Sequence, residues 1–487
     1  MPSTQPVALT PQDFKSYVHA DMHELHQHLA QKPKWHISDV TDQLPPDARG
    51  YRHQYVDLVM EGGGMLGIAL VGYVYALEQV GIRFLQLGGT SAGSINALLM
   101  AAAAPRHETS SEWLLQQLAN KNFYDFVDGD RNARGFTEEL LEPEITDSGV
   151  IGWLKRRLDT AEDAASALSV RKHISKDFGL HPGKKFTVWL EELLQERGVN
   201  SIEELLKRRA EVPTGKLRRR ASRISGVREE TDYESASLSR LAIITADITT
   251  QTKVVFPEMA PLYWQDWRSI SPALLVRASM SIPLFFHPYR CTNVPGHDSE
   301  EQHTEYRKAW DAMGYLGPIP KEALFVDGGI ISNFPINVFH DNTQVPAAPT
   351  FGVKLGIDRA TYQSTDSVLQ YLGAIFDAAR SQYDADFIRR NSDYRHLVHC
   401  LNVDGFNWLA FNMPDKQKLE LFRVGVRGAV AFLKEFDWEN YQKLRKAKVE
   451  VVKRSARMMA PLTFAPDPNA INLEWPGGML PPAMQET

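Results

Sequence analysis

Two glycine-rich turns set close together in an apolar stretch, residues 56–100 (VDLVMEGGGMLGIALVGYVYALEQVGIRFLQLGGTSAGSINALLM), constrain this chain more than any other feature. The residues leading into the first turn, Tyr55, Val56, Leu58, Val59 and Met60, run apolar and stop at Gly62-Gly63-Gly64. Beyond it Leu66, Leu70, Tyr73, Val74 and Leu77 recur at helical spacing, so the segment reads as strand, tight turn, helix. A second apolar run, Phe84 to Leu87, meets Gly89-Thr90-Ser91-Ala92-Gly93 and continues into Ile95, Ala97, Leu98 and Leu99. The spacing again predicts strand, elbow, helix, and the two halves make one βαβα unit.

The second turn has the form G-x-S-x-G. A serine at a sharp strand-to-helix corner sits in a strained conformation that exposes its hydroxyl, and the flanking glycines leave room for the neighbouring chain and for substrate. Its place before a helix also sets backbone N–H groups and the positive end of the helix dipole near any developing negative charge. The plain alternative is a helix N-cap serine in a glycine-rich loop. The first turn favours the catalytic reading. Consecutive glycines can present unblocked N–H groups to an oxyanion, and losing one such donor typically costs about a hundred- to a thousand-fold in rate. Gly62, Gly64 and Gly67 also satisfy the dinucleotide pattern G-x-G-x-x-G. That fingerprint requires an acidic residue at the end of the next strand, whereas this strand ends Phe84-Leu85-Gln86-Leu87-Gly88-Gly89. No Gly-Lys-Ser/Thr follows the glycines either, so a P-loop fails.

A carboxylate that could serve the serine stands at Phe325-Val326-Asp327-Gly328-Gly329, where a strand ends in an acid and two glycines clear the approach to another loop. A carboxylate held beside a serine hydroxyl in a low-dielectric pocket gains proton affinity and becomes a usable base. Without the elbow, a β-turn Asp-Gly would be the better reading. GGGMLG at 62–67, GTSAG at 89–93 and DGG at 327–329 together resemble the patatin-like phospholipase family. The likeness extends through LAIITADITTQTKVV (241–255), RASMSIP (277–283) and ALFVDGGIISNFP (323–335), in the right order, and covers roughly residues 55 to 355.

The resemblance implies a three-layer α/β/α hydrolase with a central, mostly parallel sheet. It implies Ser91 as nucleophile with Asp327 as its sole partner and general base, and Gly62, Gly63 and Gly64 as the oxyanion turn. Gly67, Gly89, Gly93, Gly328 and Gly329 support the motifs, Arg277 braces the scaffold, Asp247 is structural, and neither metal nor cofactor takes part. Leu66 departs from the many bacterial relatives that carry Arg or Lys there, which leaves the oxyanion to backbone donors. The implied activity is cleavage of fatty-acyl esters of phospholipids, as phospholipase A or lysophospholipase. Neutral-glyceride lipase or general carboxylesterase activity are alternatives, and a membrane- or partner-binding module with dispensable catalysis is the alternative of another class. A Ser-His-Asp triad would instead recruit a histidine such as His340, His396 or His399. Some relatives also need a protein activator.

The rest of the chain divides by pattern into a helical extension (1–50), a catalytic domain (51–360) with insertions at about 105–235, a C-terminal helical region packed on the core (361–460) and an extended, proline-rich tail (461–487). With 487 residues and 43% hydrophobic composition the chain can bury a sizeable core. A net charge of −6 gives no global reason to expect nucleic acid. Cys291 and Cys400 form no framework, no leader pattern opens the chain, and no run reaches the ~20 apolar residues of a membrane span. These features predict a cytoplasmic or peripheral-membrane setting, with signal-less export left open.

Membrane contact, if local, falls to two basic segments. Lys155, Arg156 and Arg157 follow Trp153 and Leu154 in an amphipathic stretch. Residues 207–228 hold nine Lys or Arg against one Glu and read as a solvated loop that could add affinity for an anionic surface, polyanion or regulatory protein. In the first helical segment, Pro11 to Gln31, His19, His23 and His26 share one face, but H-E-x-x-H is not completed there. That segment reads as a solvated or docking helix.

Overall fold

The computed structural model describes residues 9–32, 35–141, 169–212, 217–224, 231–232, 240–341, 343–356, 387 and 391–459. In chain order the strands are β1 (Val40–Thr41), β2 (Gln54–Met60), β3 (Ile82–Thr90), β4 (Gly179–His181), β5 (Arg218–Arg219), β6 (Thr231–Asp232), β7 (Leu241–Asp247), β8 (Thr252–Phe256), β9 (Leu284–Phe286), β10 (Tyr289–Thr292), β11 (Glu322–Asp327), β12 (Thr350–Leu355) and β13 (Val398–Leu401). β2 and β7 are buried at every residue, as continuous apolar runs are when helices cover both faces of a sheet.

The centre of the sheet is parallel. β2 lies between β3 and β12, and β13 extends the parallel set beyond β12. On the other side β3 pairs with the first half of β7, Leu87 opposite Leu241 through Thr90 opposite Ile244. From there the sheet turns antiparallel. β11 pairs with the second half of β7, β10 with β11, and β8 runs along the far edge of β7. β1, β5 and β6 add a short antiparallel fringe next to β2.

Helices cover the sheet, giving the three-layer α/β/α arrangement that the family resemblance implies. The helices Gly67–Glu78 and Ala92–Ala103 follow β2 and β3 and are almost wholly buried, so neither shows a polar face in its sequence. The long helix Asp415–Glu435 buries Leu421, Phe422, Val426 and Phe432 against Gly67–Glu78 and β13. Two N-terminal helices, Pro11–Tyr17 and His19–Ala30, then dock on it. Phe14 meets Phe422 edge-on at 5.2 Å, and the buried Asp21 accepts from Arg423 Nε at 2.7 Å and Arg427 Nε at 2.9 Å. The N-terminal segment is thus a docked element, and its histidines are partly committed: His26 bonds the Tyr51 hydroxyl at 2.9 Å and Arg49 at 2.8 Å.

Of the segment 207–228 the structure describes 207–212 and 217–224, and some of its basic residues are bonded to the rest of the chain. Its first residues close the helix Ile202–Ala210, where Arg208 donates to the carbonyls of Ala102 and Arg197, both at 2.9 Å. Arg209 is buried against the Leu85 carbonyl, and Arg223 pairs with Glu439 at 2.7 Å. The Trp153–Arg157 stretch and the tail 460–487 lie outside the described residues.

Candidate active site

Ser91 sits where β3 ends and the helix Ala92–Ala103 begins, with φ 50° and ψ −118°. This positive φ is costly for any residue with a side chain, about 1–3 kcal/mol, and the motif glycines permit it by letting main chains touch. A Cβ on Gly93 would stand 2.2 Å from the Met60 carbonyl oxygen at the end of β2, and one on Gly89 2.4 Å from the Gly93 carbonyl. The strain is held by hydrogen bonds around the serine. The Ser91 N–H donates to Ser279 Oγ at 3.0 Å, Ser279 Oγ donates to the Ile244 carbonyl at 2.6 Å, and Ser94 Oγ donates to the Ser91 carbonyl at 2.6 Å. Ser91 itself is 5% exposed.

Sheet register brings Asp327 to the same corner. Both β3 and β11 lie on the edge of β7 opposite β8, so they meet end to end: Thr90 is opposite Ile244, and Asp327 is opposite the next residue, Thr245. The Asp327 N–H donates to the Ser281 carbonyl at 2.9 Å, and its Oδ1 accepts from the Gly329 N–H at 2.8 Å. Gly328 packs beneath against the Ile244 carbonyl and the Thr90 methyl. Thr90 Oγ1 closes the corner by donating to the Ser332 carbonyl at 2.8 Å. Arg277, buried and held below its usual pKa to about 10 by desolvation, donates to Ser281 Oγ at 2.5 Å and to the Pro182 and His287 carbonyls at 2.8 Å. It braces the segment that carries Ser279 and Ser281.

The first glycine turn is clamped to the loop after Asp327. Gly62 donates its N–H to the Asn333 carbonyl at 3.1 Å, and Asn333 Nδ2 donates back to the Gly62 carbonyl at 3.1 Å. Its main-chain donor is therefore already committed, unlike the expectation that all three glycines serve an oxyanion. Gly64, at φ +53°, borders the cleft beside Ser91, Gly63 faces Leu355, and Gly67 lies against Ala92. Leu66 is buried, 8% exposed.

Ser91 opens onto a cleft with about 790 Å³ of empty space, part of it continuous with solvent. Ile68, Leu99, Leu118, Phe126, Trp189 and Phe411 make its wall almost wholly apolar. Among the described residues no histidine lines it. His340 bonds the Tyr394 hydroxyl at 2.6 Å and packs on Phe387, and His399 stacks on Tyr73, so these two alternatives to a Ser-Asp pair are engaged elsewhere. His396 ends the 3-10 turn Ser392–His396 and does not line the cleft either. Asp247 is fully buried, accepting from the Thr249 N–H at 2.8 Å, Thr250 Oγ1 at 2.7 Å and the Tyr263 hydroxyl at 3.1 Å. Ser279, Ser94 and Asn333 are the supporting residues that motif reading does not single out; each stands inside or within a few residues of a motif.

A Bacillus subtilis (strain 168) protein, the uncharacterised YqhO, is 26% identical over 388 residues, spanning 79% of this chain and 100% of that protein. Among solved structures, VipD from Legionella pneumophila aligns over 90% of this chain and 80% of that chain at 15% identity, with a TM-score of 0.37. ExoU, in its complex with SpcU from the type III secretion system of Pseudomonas aeruginosa, aligns over 84% of this chain and 61% of that chain at 16% identity, with a TM-score of 0.32. The family model of patatin-like phospholipases matches residues 58–340, more than half of the sequence and every motif described above. The chain belongs to the patatin-like phospholipase family.

Proposed function

We propose that this protein hydrolyses fatty-acyl esters of phospholipids, as a phospholipase A or lysophospholipase, through Ser91 and Asp327. The observation that carries the reading is the strained Ser91 at the wall of an apolar cleft, on a corner where β11 delivers Asp327 in adjacent register. Asp327 accepts the hydroxyl proton as Ser91 Oγ attacks the ester carbonyl carbon. The N–H groups of Gly63 and Gly64, with those opening the helix Ala92–Ala103, hold the oxyanion without a charged side chain at Leu66. Asp327 returns the proton to the leaving alcohol, and water opens the acyl-enzyme by the same route in reverse. The apolar cleft takes the acyl chain, and its scarcity of polar groups suits a fatty chain better than a polar acyl group.

The enzyme meets its substrate at a lipid surface. No helix among the described residues is long and apolar enough to cross a membrane. Phe178, 49% exposed at φ 56°, and Leu284, 37% exposed at φ 67°, stand next to each other across β4 and β9, where Gly179 pairs with Leu284. The same segment lines the cleft two residues earlier with Ile282. These side chains form an apolar rim that seats the cleft mouth on lipid.

The test is hydrolysis of a soluble short-chain ester and of anionic phospholipid vesicles by wild type, Ser91→Ala and Asp327→Ala. Loss of about a thousand-fold or more in both variants, with folding retained, is expected. An Asp327→Ala variant that keeps wild-type turnover would sink the dyad. A wild type inactive on both substrates yet labelled at Ser91 by a fluorophosphonate would point to a missing protein activator, and one that is also unlabelled would favour the binding-module alternative.

A further inference from the structure

Away from the cleft, three ligand-type side chains converge from two parts of the chain. His173 and Asp177 come from a π-helical turn, His173–Asp177, and His287 follows β9; one donor atom from each lies within 4.8 Å of the others. His173 Nδ1 is 3.3 Å from Asp177 Oδ2, while its Nε2 is 2.9 Å from Asp130 Oδ2. His287 Nε2 is buried and has no hydrogen-bond partner among the described residues. Asp130 is itself held in place by the Ala133 N–H at 2.8 Å and the Ser169 hydroxyl at 3.2 Å.

We propose that His173, Asp177 and His287 bind a zinc ion, which pins the arm 169–181 to the end of β9. Two imidazoles and one carboxylate match the donor chemistry of zinc, and not the all-oxygen sets of magnesium or calcium. A tetrahedral ion with bonds of about 2.0–2.2 Å holds its ligand atoms about 3.4 Å apart. The His173–Asp177 pair already has that spacing, so His287 needs only a side-chain adjustment. A metal on His173 Nδ1 also accounts for Asp130, which then fixes the tautomer and orientation of the ring from Nε2, the usual companion of a ligating histidine. It gives the buried His287 Nε2 the partner it lacks. Water completes the fourth position. The ion takes no part in ester cleavage: β4 and β9 already pair, the His287 N–H donates to the His181 carbonyl at 2.8 Å, and the metal adds a clamp beside them. The competing account is an imidazolium of His173 bridging two carboxylates, which needs no metal.

The full-length chain, carrying no polyhistidine tag and stripped with chelator, is titrated with zinc chloride by calorimetry. The same titration is run on His287→Ala, Asp177→Asn, Asp130→Ala and, as a control for the N-terminal histidines, His19→Ala/His23→Ala. Expected is one zinc per chain in wild type and in the control, none in His287→Ala or Asp177→Asn, and about 10- to 100-fold weaker binding in Asp130→Ala. Asp177 is partly exposed, so its variant reports on the site even where His287→Ala fails to fold. Cobalt in place of zinc should give the intense visible absorption of a low-coordinate ion in wild type and in the control, and not in His287→Ala or Asp177→Asn. Absence of stoichiometric zinc from wild type, its persistence in Asp177→Asn, or its loss in the control would each overturn the proposal. None of these outcomes depends on ester hydrolysis.

Discussion

At the scale of single residues, the corner around Ser91 is built from contacts that tolerate no added atom. Gly93 is the sharpest case, because it lies in a helix, where replacing glycine by alanine ordinarily stabilises by about 0.5–1 kcal/mol. Here the new methyl would meet the Met60 carbonyl at 2.2 Å and the Glu61 carbonyl at 2.9 Å, so the helix must move away from β2. Gly93→Ala should therefore cost about 1–3 kcal/mol and most of the activity. Gly135, in the helix Arg131–Leu141 with nothing within 4 Å of its would-be methyl, is the internal control; Gly135→Ala should be neutral or stabilising. Denaturant melts of both variants check this, and equal effects would mean that the elbow is not tightly packed. Such glycines are legible in a sequence because the chain has few ways to make a strained turn. Ser279, Ser94 and Asn333 are less legible. A hydroxyl that accepts from one backbone and donates to another can be supplied from many directions, and only the assembled sheet shows which serine arrives.

At the scale of elements, the meeting of β3 and β11 on one edge of β7 creates the proposed dyad, and neither strand announces it. The motifs mark both strand ends, but their adjacency depends on β7 switching partners between Ile244 and Thr245, a long-range pairing that local pattern does not encode. Within 207–228 one residue departs from the solvated reading for a related reason. A run of charge reads as solvated, yet Arg209 is drawn inside by the Leu85 carbonyl more than a hundred residues earlier. The apolar rim makes a prediction at this scale. Burying Phe178 and Leu284 in lipid contributes about 1.5–3 kcal/mol each, so Phe178→Asp and Leu284→Asp should each lower turnover on anionic vesicles by about 10- to 100-fold. Turnover of a soluble short-chain ester should stay unchanged, because both side chains are exposed and neither lines the cleft. Equal losses on both substrates would show that these residues hold up the cleft wall and do not seat it on a membrane.

At the scale of the whole molecule, the C-terminal helices lock the sheet from outside, and His340 records how tightly. It lies under the helix Trp438–Met459, whose Arg445 bonds Asp393 at 3.2 Å and whose Lys448 reaches the same carboxylate. Burial first, then the charge of Arg445, holds the His340 imidazole down to about 4; Lys448 adds to this, and Asp393 and Asp341 oppose it. The Tyr394 hydroxyl completes its surroundings at 2.6 Å. A histidine whose folded pKa lies below its unfolded value of about 6.5 leaves the unfolded chain binding the proton more readily between the two. Its contribution to stability is fully present above about pH 6.5 and is lost as pH falls toward 4. Asp57, buried and pushed up to about 7 by desolvation, works in the opposite sense, because the folded state keeps that proton where the unfolded chain has released it. Comparing wild type with His340→Gln removes the Asp57 part, which both share. The wild type should lose more of its thermal midpoint than His340→Gln between pH 7 and pH 4.5, while ester hydrolysis at pH 7 survives the substitution. Parallel pH profiles would mean that the imidazole is solvated and the C-terminal helix less firmly seated than its contacts indicate; loss of hydrolysis at full stability would instead return His340 to the catalytic machinery and displace Asp327 as sole base.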